Sequence, residues 1–220
     1  METVQLKKHI SQRKSQIKYI VIHDTANKSA KAGAIAHKNY FLTTNRKASA
    51  DFVIEENKII KLNDYEKYFT WHCGDGKGKF GITNSNSIGL EMCINSDANM
   101  QKTINSTIIL VYKLMKELKI PIEKVVRHYD ASRKICPASL SYDNWRGWVK
   151  FKNALHDYIE EREDENNYVV LEYKNKKAVC ERILKNNYNY IKVRDIANLL
   201  NIKIVYDSTK IKLVEKENTI

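Results

Sequence analysis

The first strong pattern in the chain is a continuous apolar run at residues 18–22 (KYIVI) that stops abruptly at His23-Asp24-Thr25. Such a run predicts a strand buried on both faces, with polar groups delivered at its C-terminal end. Ala32, Ile35, Ala36, Tyr40 and Phe41 then recur at helical spacing and predict a helix over 29–42. Residues 52–62 (FVIEENKIIKL) read as a hairpin turning near Glu56-Asn57. In 87–94 the alternation sends Ile88, Leu90, Met92 and Ile94 to one face and Gly89, Glu91 and Cys93 to the other. A carboxylate thus projects from a strand face kept open by small neighbours.

Ile104, Ile108, Val111, Met115 and Leu118 mark an amphipathic helix over 100–118. A short strand at 124–127 leads into His128. Trp145, Trp148, Val149, Lys152, Leu155 and Ile159 mark a third helix that runs out in the charged stretch 160–165, the natural domain boundary. Beyond it, VVLEY, IKIVY and IKLVE are strand-like and 193–200 is helical, giving the order strand, strand, helix, strand, strand. Between residues 64 and 86 the chain is irregular and carries Gly74, Gly76, Gly78 and Gly81, a loop long enough to be functional.

With 220 residues, 43% of them hydrophobic, the chain has enough apolar material for one ordinary domain and a small second one. The net charge of +12 calls for a polyanionic environment, which nucleic acid, anionic lipid or wall teichoic acid would each supply. Residues 1–165 carry +7 of it and 166–220 carry +5, so the charge is spread. No basic run is interleaved with aromatics in the manner of a nucleic-acid platform, and no segment approaches the length of a membrane span. The N-terminal segment lacks the apolar stretch of a secretory signal, so synthesis in a host cytoplasm, with action at the wall after release, is the expectation. Four scattered cysteines argue for reduced thiols or a metal ligand over a disulfide framework.

His23, His128 and Cys136 sit where the chain leaves a strand or turns. Two imidazoles and a thiolate would give zinc three protein ligands, with the fourth position open. They converge only if HYDASRKIC folds back as a loop. Spacing alone does not single out this trio, because two histidines and a distant cysteine occur together in many proteins.

The strings YIVIHDTAN, WHCGDGKGKFGITNSNSIGLEMCIN and VVRHYDASRKICP, taken together, resemble the type 2 N-acetylmuramoyl-L-alanine amidase family, which includes peptidoglycan-recognition proteins. They are most similar to its Gram-positive phage and autolysin branch, over about residues 15–155. The resemblance implies an α/β fold, a mixed central β-sheet flanked by helices, with a small α+β C-terminal domain beside it. It implies Zn2+ held by His23, His128 and Cys136, a catalytic glutamate at Glu91, and a basic residue beside the scissile carbonyl at Lys134. Trp71, His72 and Asn84 fall where substrate contact is expected, packing being the alternative for Trp71 and His72. A tyrosine that assists catalysis in the phage-lysozyme branch is replaced here by Ala50, which leaves more of the work to Glu91. Arg127 and Ala138 stand where glycine is common in the family.

The implied activity is zinc-dependent hydrolysis of the lactyl-to-L-alanine amide of Gram-positive peptidoglycan, as in a phage endolysin. A non-catalytic recognition protein is the alternative, against which Cys136 and Glu91 argue. Residues 1–160 form the expected catalytic domain, 161–167 a charged linker and 168–220 an accessory domain. This last segment resembles the copper-amine-oxidase N-terminal-like domain of bacterial envelope proteins. It contains no histidine, so copper is not expected there. Its expected roles are wall binding, including to anionic wall polymers, or self-association.

Overall fold

The computed structural model describes residues 1–185, 188–206 and 211–215. The chain divides into two compact units, Met1–His156 and Asp157–Ile220. In chain order the first contains β1 (Glu2–Thr3), β2 (Ile10–Gln12), β3 (Tyr19–Asp24), α1 (Ala34–Thr43), β4 (Phe52–Glu55), β5 (Lys58–Lys61), β6 (Tyr68–Thr70), β7 (Ser87–Met92), α2 (Met100–Leu118), β8 (Val125–Arg127) and α3 (His128–Ser132). α4 (Tyr142–Asn167) follows, its start marked by left-handed backbone at Asp143, Asn144 and Trp145. It continues through the charged stretch where the sequence pattern ends it.

Six strands form one mixed sheet in the order β1-β5-β4-β7-β3-β8, while β2 and β6 pair separately. All neighbours in the large sheet run parallel except the β4–β5 hairpin. This is the α/β architecture that the sequence implied. The register sets His23 beside Glu91, and Glu91 beside Val53. Side chains alternate along a strand, so Val21, His23, Gly89, Glu91 and Val53 share one face. Ala34 and Phe41 of α1 pack against Val53 and Cys93 there, and Ala131 of α3 packs with Cys73 and Ile82 against Val21.

The opposite face carries Ile20, Ile22, Ile88, Leu90, Phe52 and Ile54, all 1% exposed or less, and α2 packs against β4 and β7. Each fully buried aliphatic there contributes roughly 1.5–3 kcal/mol. The apolar run Ile20–Val21–Ile22 of β3 is fully buried because both of its faces are covered, and His23 and Asp24 follow at its C-terminal end.

A buried carboxylate joins the pieces around β7. Asp51 accepts hydrogen bonds from Asn63 Nδ2 (2.8 Å), Thr70 Oγ1 (2.7 Å) and the Gly89 amide (2.8 Å). Burial raises its pKa, and those donors oppose the rise. α1 begins later than its spacing predicts. Lys31 is left-handed and Gly33 extended, and the Ala34 amide donates to Glu55 Oε2 at 2.9 Å.

The second unit holds β9 (Tyr168–Tyr173), β10 (Lys176–Lys185), β11 (Tyr188–Ile191), α5 (Val193–Leu200), β12 (Ile202–Tyr206) and β13 (Ile211–Glu215). Its strands form an antiparallel sheet β11-β10-β9 and a β12–β13 hairpin, with Ala197 and Leu199 of α5 buried. Three strands precede the helix where the sequence pattern gives two. Residues 186–187, 207–210 and 216–220 of the expected accessory domain lie outside the described residues. Among the described residues no helix is long and apolar enough to cross a membrane.

Candidate metal centre

His23 arrives on β3, flanked by β7 and β8, and is 2% exposed. His128 opens α3 directly after β8, so the short strand fixes where its ring enters. Cys136 reaches them because HYDASRKIC folds back, though with HYDAS as the helix α3 where a loop was expected: α3 ends at left-handed Arg133, and the Tyr129 amide donates to the Cys136 carbonyl at 3.0 Å. Asp24 secures the far side, its Oδ2 accepting from the Ser139 amide at 2.6 Å.

One ligand atom from each of His23, His128 and Cys136 lies within 4.8 Å of the others. His23 Nδ1 is 3.7 Å from Cys136 Sγ. Tetrahedral zinc with its usual bond lengths would separate such atoms by about 3.5 Å. His128 Nδ1 is buried and has no hydrogen-bond partner among the described residues. A buried imidazole nitrogen without a partner is costly unless an ion or water meets it. The donor set, two nitrogens and a sulfur, therefore fits a metal of zinc's character.

The outer nitrogens of both rings are held. His128 Nε2 donates to Asp75 Oδ1 at 2.8 Å, and His23 Nε2 lies 2.9 Å from His72 Nδ1. Burial lowers the pKa of His23 well below its ordinary value, helped by His128, His72 and Lys134. Burial also lowers that of His128, with Asp75 opposing. Both imidazoles are thus kept neutral, the form that ligates. Burial pushes the Cys136 thiol up, with Glu91 and the Asp24 charge adding to the rise, while the Asp24 amide and Lys134 favour the thiolate.

Glu91 shares the sheet face with His23, and its Oε2 is buried with no hydrogen-bond partner among the described residues. Burial and the Asp24 charge push its pKa up to about 8, Lys134 opposing. Lys134 itself is exposed, and its charge acts on His23, Glu91 and Cys136 alike. The centre therefore combines three convergent ligand atoms, a buried carboxyl on the same sheet face, and an exposed cation.

Residues 13–139 match the profile of the family described as N-acetylmuramoyl-L-alanine amidase. That span takes in both histidines and the cysteine. The chain belongs to the N-acetylmuramoyl-L-alanine amidase family. Among curated relatives of this amidase chain, the N-acetylmuramoyl-L-alanine amidase CwlH of Bacillus subtilis (strain 168) is 35% identical over 131 residues, 60% of this chain and 51% of that protein. XlyA of the same strain is 35% identical over 130 residues, 58% of this chain and 41% of that protein. The chain thus spans about half the length of the curated amidases it matches. The catalytic domain of XlyA superposes with a TM-score of 0.60 at 30% identity, covering 70% of this chain and 99% of that one.

Within this amidase fold, the structure brings His23, His128, Cys136 and Glu91 together. It places the three residues expected to touch substrate differently. His72 follows the packing alternative and not the groove rim: it is buried, with its two ring nitrogens facing His23 and Ser87, because its ring fills the space above Gly89. A Cβ at position 89 would come within 2.6 Å of that ring. Burial, His128 and Arg13 hold the His72 pKa at about 3, against the opposing Asp75 charge. Asn84 spends its Oδ1 on the His72 and Cys73 amides (3.0 and 2.7 Å), shaping the loop. Trp71 is half-buried, its indole N–H donating to Ser11 Oγ at 3.0 Å. Ala50 is fully buried, in the core cluster with Val53 and Cys93. Arg127 forms a fork with Asp130 and lies 4.2 Å from the Trp145 ring, which gives its side chain a packing role where glycine is common.

Sequence reasoning missed Asp75 and Ser87. Asp75 lies in a short 3-10 turn, Gly74–Gly76, where a Cβ at Gly76 would come within 2.0 Å of the Ala131 carbonyl. Glycine there lets the turn approach α3 closely enough for the carboxylate to reach His128. An acid between two glycines, in a loop already suspected of function, was the available signal.

Proposed function

We propose that this chain is a zinc-dependent amidase that hydrolyses the bond between the lactyl group of N-acetylmuramic acid and L-alanine in Gram-positive peptidoglycan. The observation that carries the reading is the buried His23, His128 and Cys136 cluster, with Glu91 on the same sheet face. The family match and the named amidase relatives support it.

His23, His128 and Cys136 would hold the zinc ion, which supplies Lewis-acid polarisation of a carbonyl and acidification of water. Glu91, on the sheet face that carries His23, takes the proton from the attacking water and returns it to the leaving nitrogen. Lys134, exposed and charged beside His23, Glu91 and Cys136, brings a positive charge to the oxyanion as it develops. His72 and Asp75 hold the ligand rings in orientation.

The test is mass analysis of digested Gram-positive peptidoglycan, paired with zinc quantification. The reading expects new N-terminal L-alanine and one zinc per chain. Digestion that instead yields new reducing sugar ends, or full activity without metal, removes it.

We further propose that the basic C-terminal unit attaches the enzyme to anionic wall polymers or to a second copy, in a lytic enzyme released from the host cytoplasm. Its pattern resemblance to envelope-protein domains and its share of the positive charge support this. Deleting residues 166–220 is expected to weaken wall pull-down or self-association, and unchanged behaviour in both counts against it.

A further inference from the structure

The proton count around His23 has one solution. The Ser87 hydroxyl hydrogen-bonds the Thr83 carbonyl, which can only accept, so Ser87 is the donor. Toward His72 Nε2, 3.0 Å away, Ser87 Oγ then offers lone pairs alone, and His72 must carry its proton on Nε2. A neutral ring protonated there has a lone pair at Nδ1. The 2.9 Å contact between that atom and His23 Nε2 therefore places a proton on His23 Nε2. His23 is left with an unprotonated Nδ1, the nitrogen that faces Cys136 Sγ at 3.7 Å. With both buried rings neutral, any other assignment sets two protons or two lone pairs against each other.

The surroundings hold this chain in place. Ser87, His72 and His23 are all buried, and the bare backbone of Gly89 makes room for the His72 ring. Asn84 fixes the His72 backbone from below through its amide. Ser87 begins β7 and is paired in register with Tyr19 of β3, so the start of the relay is anchored on the strand pair that carries His23.

We propose that Ser87 and His72 are positioning residues that lock His23 in the tautomer protonated at Nε2, so that the nitrogen turned toward the metal is the one able to ligate it. The relay reaches the ligand through two buried neutral groups, Ser87 and His72, and uses no carboxylate, unlike the Asp75 contact on His128. This inference rests on the reading of His23, His128 and Cys136 as a zinc site.

The experiment uses the full chain with its six histidines 15N-labelled in the ring, metal-free, and long-range proton–nitrogen correlation to read each tautomer. His23 and His72 are each expected to carry the proton on Nε2. A proton on Nδ1 of either ring overturns the proposal, and because this is read on the unaltered protein the test survives a variant that fails to fold. Zinc affinity by chelator competition is the second arm. Ser87→Ala removes the acceptor for His72, and we expect zinc binding to weaken about 10–100-fold as the His23 signal divides between tautomers. A folded Ser87→Ala protein with unchanged tautomer and unchanged affinity also overturns it. If the spectra are as expected but no L-alanine ends are released from peptidoglycan, the hydrolase reading fails and the relay stands.

Discussion

The two histidine sides of the centre do the same job by different physics. On the His23 side the outer nitrogen meets His72 and, through it, Ser87, all buried and uncharged by their environment. On the His128 side it meets Asp75, a carboxylate whose side chain is 50% exposed. Burial works to raise the Asp75 pKa, but its hydrogen bond and charge interaction with His128 offset that and hold it below its usual value. A neutral relay fixes ring orientation and tautomer without a field that solvent can screen. A charge-assisted bond is stronger per contact but open to salt and water. The comparison teaches that a second shell can be built from either kind of partner, provided each ring turns an unprotonated nitrogen inward.

The largest effect comes from removing what both sides serve. Cys136→Ala is expected to abolish stoichiometric zinc and to lower peptidoglycan hydrolysis to background, read by metal analysis and release of L-alanine ends. Glu91→Gln separates chemistry from ligation: turnover falls about 10²–10⁴-fold while zinc content stays at that of the unaltered protein. Loss of zinc in that variant would move Glu91 from the proton-transfer role to a structural one.

Metal loading should depend on pH with a defined sign. The thiol of Cys136 is raised in the metal-free protein, so at neutral pH it keeps its proton and the metal must displace it. Zinc affinity then rises with pH, about tenfold per unit for each proton released, until the thiol titrates. A flat profile across neutral pH would remove the sulfur from the ligand set. The smallest effect sharpens the comparison itself. Asp75→Asn keeps an acceptor but not the charge, and is expected to weaken zinc about tenfold at low salt. Near 1 M salt, where the screening length is about 3 Å, that difference shrinks, whereas the deficit of Ser87→Ala persists.

How far the sequence could be read depended on whether a feature repeats. α2 occupies the very span, Met100–Leu118, that its three- and four-residue steps mark, and the apolar run of β3 is a central strand with both faces covered. β1, β2 and β6 are two or three residues long and carry no period to detect. β10 runs for ten residues with charges scattered through it and Val179 and Ile183 exposed, so its alternation is weak. The ligand trio was legible only through the family resemblance of the strings that carry it, since its spacing does not single it out. Its supports were not. Asp75 lies 53 residues from His128 and Ser87 lies 15 from His72, and nothing local in either residue reveals which ring nitrogen it faces. For His72 the sequence leaves both a groove rim and packing open, because it does not show that Gly89 opens the space its ring fills.

The most direct test of this account is X-ray absorption at the zinc edge on the zinc-loaded full chain. It predicts one sulfur at about 2.3 Å and two imidazole nitrogens at about 2.0–2.1 Å, with one further light atom completing four-coordination. A first shell without sulfur, or with a single imidazole, would contradict it.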